Sequence, residues 1–512
     1  LTVAGIVVKI LGGMNRILLS RLLGGEGIGL YQMAYPVYIL LLSIAGAGIP
    51  IAVSIMVAEQ TAKGNYSGAK RIFHITLITM SFAAFCCGAA MLFGSQALIQ
   101  YGIVRDERAL LPLVVLAPAL TISIITCCFR GYFQGLQLMT PTAVSQMADQ
   151  FVRVCTMLIL AWMFLPYGLE KAAAGATFGA VPGAAVGLAV IALLYYRHTR
   201  TPLPADTHIF APCRASQVVC RLAVLAVLVA AANMLLPAVS SIDLFIVPAR
   251  LEVAGYTVHE ATALYGYLTG MANGLVQLPT ILTIALATSL VPAVSAAYSQ
   301  QDAGSVLQRV HTAMRIANAI TVPACCVLAG PISQMLYATP AAGPAICVLS
   351  ISVFLVGLQQ ITSGLLQGMG HTAIPLCNMV IAAVFKIVLS WYLTAIPWLG
   401  EVGAAWATNV DLAVATGLNL YFSYRFIQYS VQWMYVCRLF LAAAAMAGTA
   451  WFIYQGLHLF LGNTGATIVA MGTAACVYVI CLFIFRAVQA SDAARIPVIG
   501  RRLASMVQRL EK

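Results

Sequence analysis

A membrane-spanning helix needs about 20 consecutive apolar residues, and this 512-residue chain supplies roughly fourteen such stretches in succession. No other feature constrains the fold as strongly. Short polar turns separate the stretches, so the chain must thread a bilayer repeatedly. The composition leaves little choice: 62% of residues are hydrophobic and 8% are charged, where a soluble domain carries about 25% charged residues. So few charges cannot cover a water-facing surface. No stretch alternates apolar and polar residues with a period of two, which argues against an outer-membrane barrel. The expected fold is an all-α polytopic membrane protein. The first apolar stretch begins almost at Leu1, with no small-residue cleavage pattern and no initiator Met. A short polar segment ahead of it would fit that start.

The net charge of +12 invites a nucleic-acid reading, and the placement of the cations argues against it. Alternate loops carry Lys63, Lys70, Arg71, Arg130, Arg197, Arg200, Arg214, Arg221, Arg309, Arg315, Arg425 and Arg438. The C-terminal tail adds Arg486, Arg495, Arg501, Arg502, Arg509 and Lys512. The opposite loops hold Arg105, Arg108 and Lys171, with Arg250 near a helix end. This asymmetry is the positive-inside pattern. It places both termini in the cytoplasm and requires an even number of crossings. The tail from Arg486 onward, residues 488–512 in particular, is basic enough to lie on anionic lipid.

The 14 cysteines include the pairs Cys86-Cys87, Cys127-Cys128 and Cys325-Cys326, all inside apolar stretches. No CxxC occurs, and the reading is small packing residues with neither a disulfide framework nor a metal site. The seven histidines are scattered. There is no Walker A sequence, so ATP hydrolysis and a bound cofactor are not expected.

The chain repeats itself. Gln134-Gly135 matches Gln367-Gly368 at an offset of 233 residues, and Arg153 matches Lys386 at the same offset. Leu30-Tyr31 matches Leu264-Tyr265 and Arg16 matches Arg250, both at 234. This implies two parallel six-helix repeats, residues 1–200 and 215–430, followed by two further helices over 433–487. In transporters, substrate sites lie at the interface of such repeats. The linker RHTRTPLPADTHIFAPCRASQ from Arg197 joins the halves.

Charges inside apolar stretches are costly and mark function or internal pairing. The candidates are Lys9, Arg16, Asp149, Arg153, Asp243, Lys386 and Asp411, with Arg250 at a helix end. Asp149 and Arg153 are four apart and can pair on one helix face. Lys386 and Asp411 sit on neighbouring predicted helices and can neutralise each other. Asp243 can reach Arg250 two turns on. Arg21 can snorkel to the interface. Lys9 and Arg16 in VVKILGGMNRILLSRLLG are different: seven residues apart, they share a face, and their helix offers no acid. Gly12 and Gly13 open a thin spot between them. Such a face suits a wet cavity that receives an anion, and a phosphate or pyrophosphate fits Arg through bidentate hydrogen bonds. Pro50, in SIAGAGIPIAVS, and Pro279 with Pro292, in a single long span, are candidate bending points for gating. The competing reading is that membrane helices tolerate proline in general.

Three stretches carry a family resemblance: KILGGMNRILLSRLLGGEGIGLYQMAYPVY, RGYFQGLQLMTPTAVSQMADQFVRV, and IDLFIVPARLEVAGYTVHEATALYGYLTGMANGLVQLPTILTIALATSLVPAVSAA. They resemble the stage V sporulation protein B family, within the multidrug/oligosaccharidyl-lipid/polysaccharide exporter superfamily. The resemblance spans at least residues 7–430. It implies fourteen helices in two lobes around a central cavity, and transport of a lipid-linked sugar across the bacterial cytoplasmic membrane. The related MurJ-type flippases move lipid II and line their cavity with basic residues on the first helix. Lys9 and Arg16 fall at or within one position of these, and Arg250 near a further one. The family commonly has Glu where this chain has Asp149, so the acid is kept one carbon shorter.

The expectation is a flippase, not an enzyme, for an anionic lipid-linked oligosaccharide. An ion gradient, the membrane potential or consumption of product would supply the energy, so a coupling ion is one option. The first rival is a cation-coupled multidrug exporter of the same superfamily, which would use Asp149 or Asp411. The second is a non-transporting scaffold for cell-wall or spore-cortex enzymes.

Overall fold

The computed structural model describes residues 2–46, 48–200, 214–300, 302–321 and 326–485. Every regular element among them is helical. The side chain of Lys9, most of the linker after Arg200 and the basic tail from Arg486 lie outside the described residues.

Nine helical stretches among the described residues are long and apolar enough to cross a membrane, and two of them, Leu11–Ala62 and Trp433–Ile484, run for 52 residues each. A helix of that length would extend about 78 Å, more than twice the hydrocarbon thickness, so each must hold two crossings. In α1 (Thr2–Gly46) the chain turns back at Gly24, whose φ of 68° is open to glycine at no steric cost. The neighbours of α1 show the reversal. Before the turn, a Cβ on Gly12 would meet Gln150, and the Asn15 side-chain amide donates to Met157 Sδ, so the chain advances along α5 (Met139–Phe164). After the turn, Tyr38 shares a hydrogen bond with Ser123, and Pro50 and Ser54 lie against Gly131 and Gly135, so it advances along α4 (Leu110–Gly135). The second crossing continues into α2 (Ile49–Ala62). Pro50, read as a candidate bending point, sits in the first turn of α2, where a missing N–H leaves no intrahelical bond unmade.

The order continues with α3 (Tyr66–Gln100), α4, α5, and α6 (Leu169–Phe178) with α7 (Ala180–Arg200) as one crossing. Next comes α8 (Ala215–Val253), then α9 (Val258–Tyr265), a π-helical segment Gly266–Ala272 and α10 (Asn273–Ser299) as the eighth. The ninth is α11 (Ala303–Ile320) with α12 (Ala329–Tyr337); α13 (Gly343–Gly368), α14 (Ala373–Leu393) and α15 (Gly400–Ile427) follow. The last stretch, α16 (Trp433–Ile484), turns back at Gly462, φ 66°, so that Leu439 and Ala442 pack on Leu482 while Met446 and Ala450 pack with Ala470 and Ala474. Among the described residues this makes fourteen crossings.

Packing divides the chain into two compact units, residues 1–270 and 271–512. In the first, α4 packs on α2, α3 and α7, and α5 packs on α7. In the second, α13 packs on α10, α11, α12 and α15, and α14 packs on α15. Small residues permit the closest crossings. A Cβ on Gly29 would lie 2.1 Å from the Thr262 carbonyl oxygen, and one on Gly266 would lie 2.1 Å from that of Gly25. Gly25 and Gly29 form a GxxxG face against the start of the eighth crossing.

One end of the first unit is tied by a buried carboxylate. Asp106, 3% exposed, caps a short 3-10 turn and accepts from the Arg108 amide, from Arg108 Nε and Nη2 at 3.0 and 2.7 Å, and from Thr262 Oγ1 at 2.8 Å. Arg108 also bonds Glu26 at 2.7 Å, and Glu26 meets His259 Nδ1 at 2.7 Å. The cluster thus joins the Gly24 turn, the loop before α4 and the start of α9. Burial alone would push the Asp106 carboxyl up, but the hydrogen bonds from Arg108 and Thr262 outweigh it and hold the group below the ordinary carboxylate range. A carboxylate held low contributes stability above its ordinary value of about 3.9 and loses it as pH falls through the depressed value. Asp106→Asn is therefore expected to cost about 1.5–3 kcal/mol at neutral pH, with the gap to wild type closing under acid. Thermal unfolding of both proteins across pH checks this; a gap independent of pH contradicts it.

Candidate functional site

The ionic centre of the first unit is built on α5. Arg153 donates to Asp149 Oδ1 through Nη2 at 3.0 Å and Nε at 3.3 Å, one helical turn apart, as the four-residue spacing predicts. The other Asp149 oxygen faces Arg130 Nη2 at 3.8 Å. These side chains are 17% exposed for Asp149, 13% for Arg153 and 18% for Arg130, so their charges interact with little screening. Two glycines on α7 let α5 approach. A Cβ on Gly183 would lie 2.9 Å from the Asp149 carbonyl oxygen, and one on Gly187 would lie 2.9 Å from Asp149 Cβ. Gly183 and Gly187 are another GxxxG pair.

Arg130 was read from the sequence as a loop cation. It lies in α4, and its Nε and Nη2 are buried without a hydrogen-bond partner. No local pattern signals this, because the contact to Asp149 crosses from one helix to the next.

Arg16 is half-buried on the first crossing. Arg16 and Arg153 both lie near Tyr31, and Arg153 lies near Tyr35 and Tyr38. Tyr31 stacks on Tyr35 at 5.4 Å, and Tyr35 meets Tyr38 at 5.8 Å. Tyr31, Tyr35 and Tyr38 are spaced four and three apart, one face of a helix. That spacing was the available signal for a tyrosine stripe beside the cations. Among the described residues the neighbourhood holds three arginines and one carboxylate, an excess of positive charge. The arrangement can accept an anion, with guanidinium forks for phosphate oxygens and phenol groups for further hydrogen bonds. The lone acid is already engaged by two arginines.

The other candidates lie elsewhere. Asp243 is half-buried on α8 near Tyr265, whose hydroxyl donates to the Gln32 carbonyl at 3.4 Å. Arg250 is in the last turn of α8, near the Arg105–Glu252 ion pair of 3.8 Å. Lys386 and Asp411 belong to the second unit, 4% and 9% exposed, on the packed neighbours α14 and α15. Asparagines continue the polar seam there: Asn378 donates to Asn419, and Asn419 to Ser363. Pro279 and Pro292 lie inside α10, which follows the π-helical segment. Among the cysteines, Cys326 and Cys347 bring their Sγ atoms to 2.7 Å.

The fold and its charged interior define a class: a multi-pass helical membrane protein. A solved structure described as the inward closed conformation of the lipid II flippase MurJ shares the fold, with TM-score 0.71 and 14% identity, over 94% of this chain and 98% of that one. An inward-facing multidrug resistance MATE family transporter of the MOP superfamily also shares it, with TM-score 0.66 and 17% identity, over 82% of this chain and 94% of that one. At such identities the likeness concerns fold alone. Residues 1–297, more than half of the chain, match the family described as polysaccharide biosynthesis protein, and the chain belongs to that family. Stage V sporulation protein B of Bacillus subtilis (strain 168) is 29% identical over 98% of this chain and 97% of its own length. Lipid II flippase MurJ of the same organism is 27% identical over 76% of this chain and 75% of its own length. The chain is a multi-pass membrane protein of that family.

Proposed function

We propose that the protein moves an undecaprenyl-pyrophosphate-linked sugar, lipid II or a related polysaccharide precursor, across the bacterial cytoplasmic membrane by alternating access. The observation that carries this reading is the half-buried excess of cations around Asp149. Arg16, Arg130 and Arg153 offer guanidinium forks to the pyrophosphate, and the tyrosine stripe offers donors to its oxygens and to the sugar. Lys9, Asp243 and Arg250 are further proposed substrate contacts in the first unit, and Lys386 is one in the second. The lipid tail stays in the bilayer, and no covalent chemistry is required. The repeats over residues 1–200 and 215–430 are the proposed rocking elements, with Pro50, Pro279 and Pro292 as bending points. Both termini are assigned to the cytoplasm from the charge pattern. The relatives named above support the substrate class, since one of them is a lipid II flippase.

A cation-coupled drug exporter of the same superfamily would need an acid open to a cation, and Asp149 already carries two arginines. Binding tests the choice. Wild type is expected to bind undecaprenyl pyrophosphate and to ignore a cationic dye, with Arg130→Gln weakening the lipid about tenfold. Dye binding that depends on Asp149, with no response to the lipid, would sink the proposal.

A further inference from the structure

The second unit holds a cavity that the proposed transport does not use. It lies between α11, α13, α15 and the turn at residues 428–432 that leads into α16, with a volume of about 170 Å³. That is smaller than the 300–1,000 Å³ of pockets that engulf a whole small molecule. A compact headgroup fits; an oligosaccharide does not.

Its walls have two characters. Phe354, Leu358 and Leu420 make most of it apolar. Against them stand Arg315, His311 and Asn318 at successive turns of α11. His311 is held against the buried Tyr429 ring, centroids 4.9 Å apart. Asn318 is 3% exposed, and its Oδ1 is buried without a hydrogen-bond partner. A buried acceptor left unmade costs about 1–3 kcal/mol, so a ligand that donates a hydrogen bond there is favoured. The cavity therefore presents a cation and an unfilled acceptor inside an apolar wall.

Its location says what could enter. The C-terminal ends of α10, α13 and α15 share this end of the second unit, because successive crossings reverse. Arg309, Arg315, Arg425 and Arg438 gather near it, the end that the charge pattern assigns to the cytoplasm. Trp433 and Met434, 72% and 70% exposed, stand beside the cavity as an interfacial belt. Basic pockets between helices on the cytoplasmic side suit acidic lipid headgroups.

We propose that this cavity seats the headgroup of an anionic phospholipid that carries a hydroxyl, with phosphatidylglycerol chemistry. The phosphate meets Arg315, the hydroxyl donates to Asn318 Oδ1, and the carbons between them lie on Phe354, Leu358 and Leu420. The acyl chains remain in the bilayer. This assignment does not rest on the identity of the transported substrate.

Native mass spectrometry of the full chain with added lipids tests it. Wild type is expected to retain phosphatidylglycerol about tenfold better than phosphatidylcholine. Arg315→Gln should lower that retention about tenfold, while Arg315→Lys keeps most of it. Asn318→Ala should reduce phosphatidylglycerol to the level of phosphatidic acid, which offers the phosphate without the glycerol hydroxyls. Arg425→Gln, an exposed cation at the same end, should change nothing. Unchanged retention in both Arg315→Gln and Asn318→Ala overturns the proposal. So does glycerol phosphate competing as well as the intact lipid, which would mark a site for a soluble anion. If Asn318→Ala does not fold, the Arg315→Gln and Arg315→Lys pair decides.

Discussion

Asp149→Ala is expected to destabilise the protein by about 3–5 kcal/mol, the cost of removing one partner from a buried ion pair. The change leaves Arg130 and Arg153 facing each other, at 18% and 13% exposure, with no carboxylate between them. Most of the loss comes from the stranded charges and little from the packing of one small side chain. That distinction has a test. Asp149→Ala with Arg153→Leu removes a stranded charge and fills its space, and should recover much of the stability, because apolar replacement of a buried pair is often neutral. Asp149→Asn should fall between wild type and the alanine variant, keeping one acceptor. The order of unfolding temperatures in one detergent checks the series. If Asp149→Ala unfolds like wild type, water or lipid already compensates these arginines and the cluster is not electrostatically tight.

Much of this architecture was legible in the sequence, for physical reasons. Crossings are fixed by the thickness of the bilayer, so apolar runs of about 20 residues count them. The Asp149–Arg153 pair was legible because both ends lie on one helix and spacing decides the geometry. Contacts between helices were not. Arg130 precedes a polar turn and looked like a topology signal, yet it points at Asp149 across the α4–α5 packing. The tie from Asp106 to Thr262 joins residues 156 apart, and no local pattern announces it. Glu26 pairs with Arg108 because Gly24 turns the chain back beside that loop, and no local pattern shows that either. Pro50 was read as a bending point, and a new helix, α2, begins at its neighbour Ile49. Hydropathy does not report a break when both sides are apolar.

Arg16 carries the largest functional prediction. It is half-buried beside the tyrosine stripe, and a guanidinium fork on a pyrophosphate makes charge-assisted hydrogen bonds of about 1.5–3 kcal/mol each. Its removal should slow translocation about tenfold to a hundredfold. Removing an exposed cation such as Arg21 should leave the rate within a factor of about two. The measurement is lipid II translocation in proteoliposomes, wild type beside Arg16→Ala and Arg21→Ala, with folding checked by unfolding temperature. The account predicts transport by wild type and by Arg21→Ala, and its loss in a folded Arg16→Ala protein. Equal rates in wild type and Arg16→Ala would contradict it.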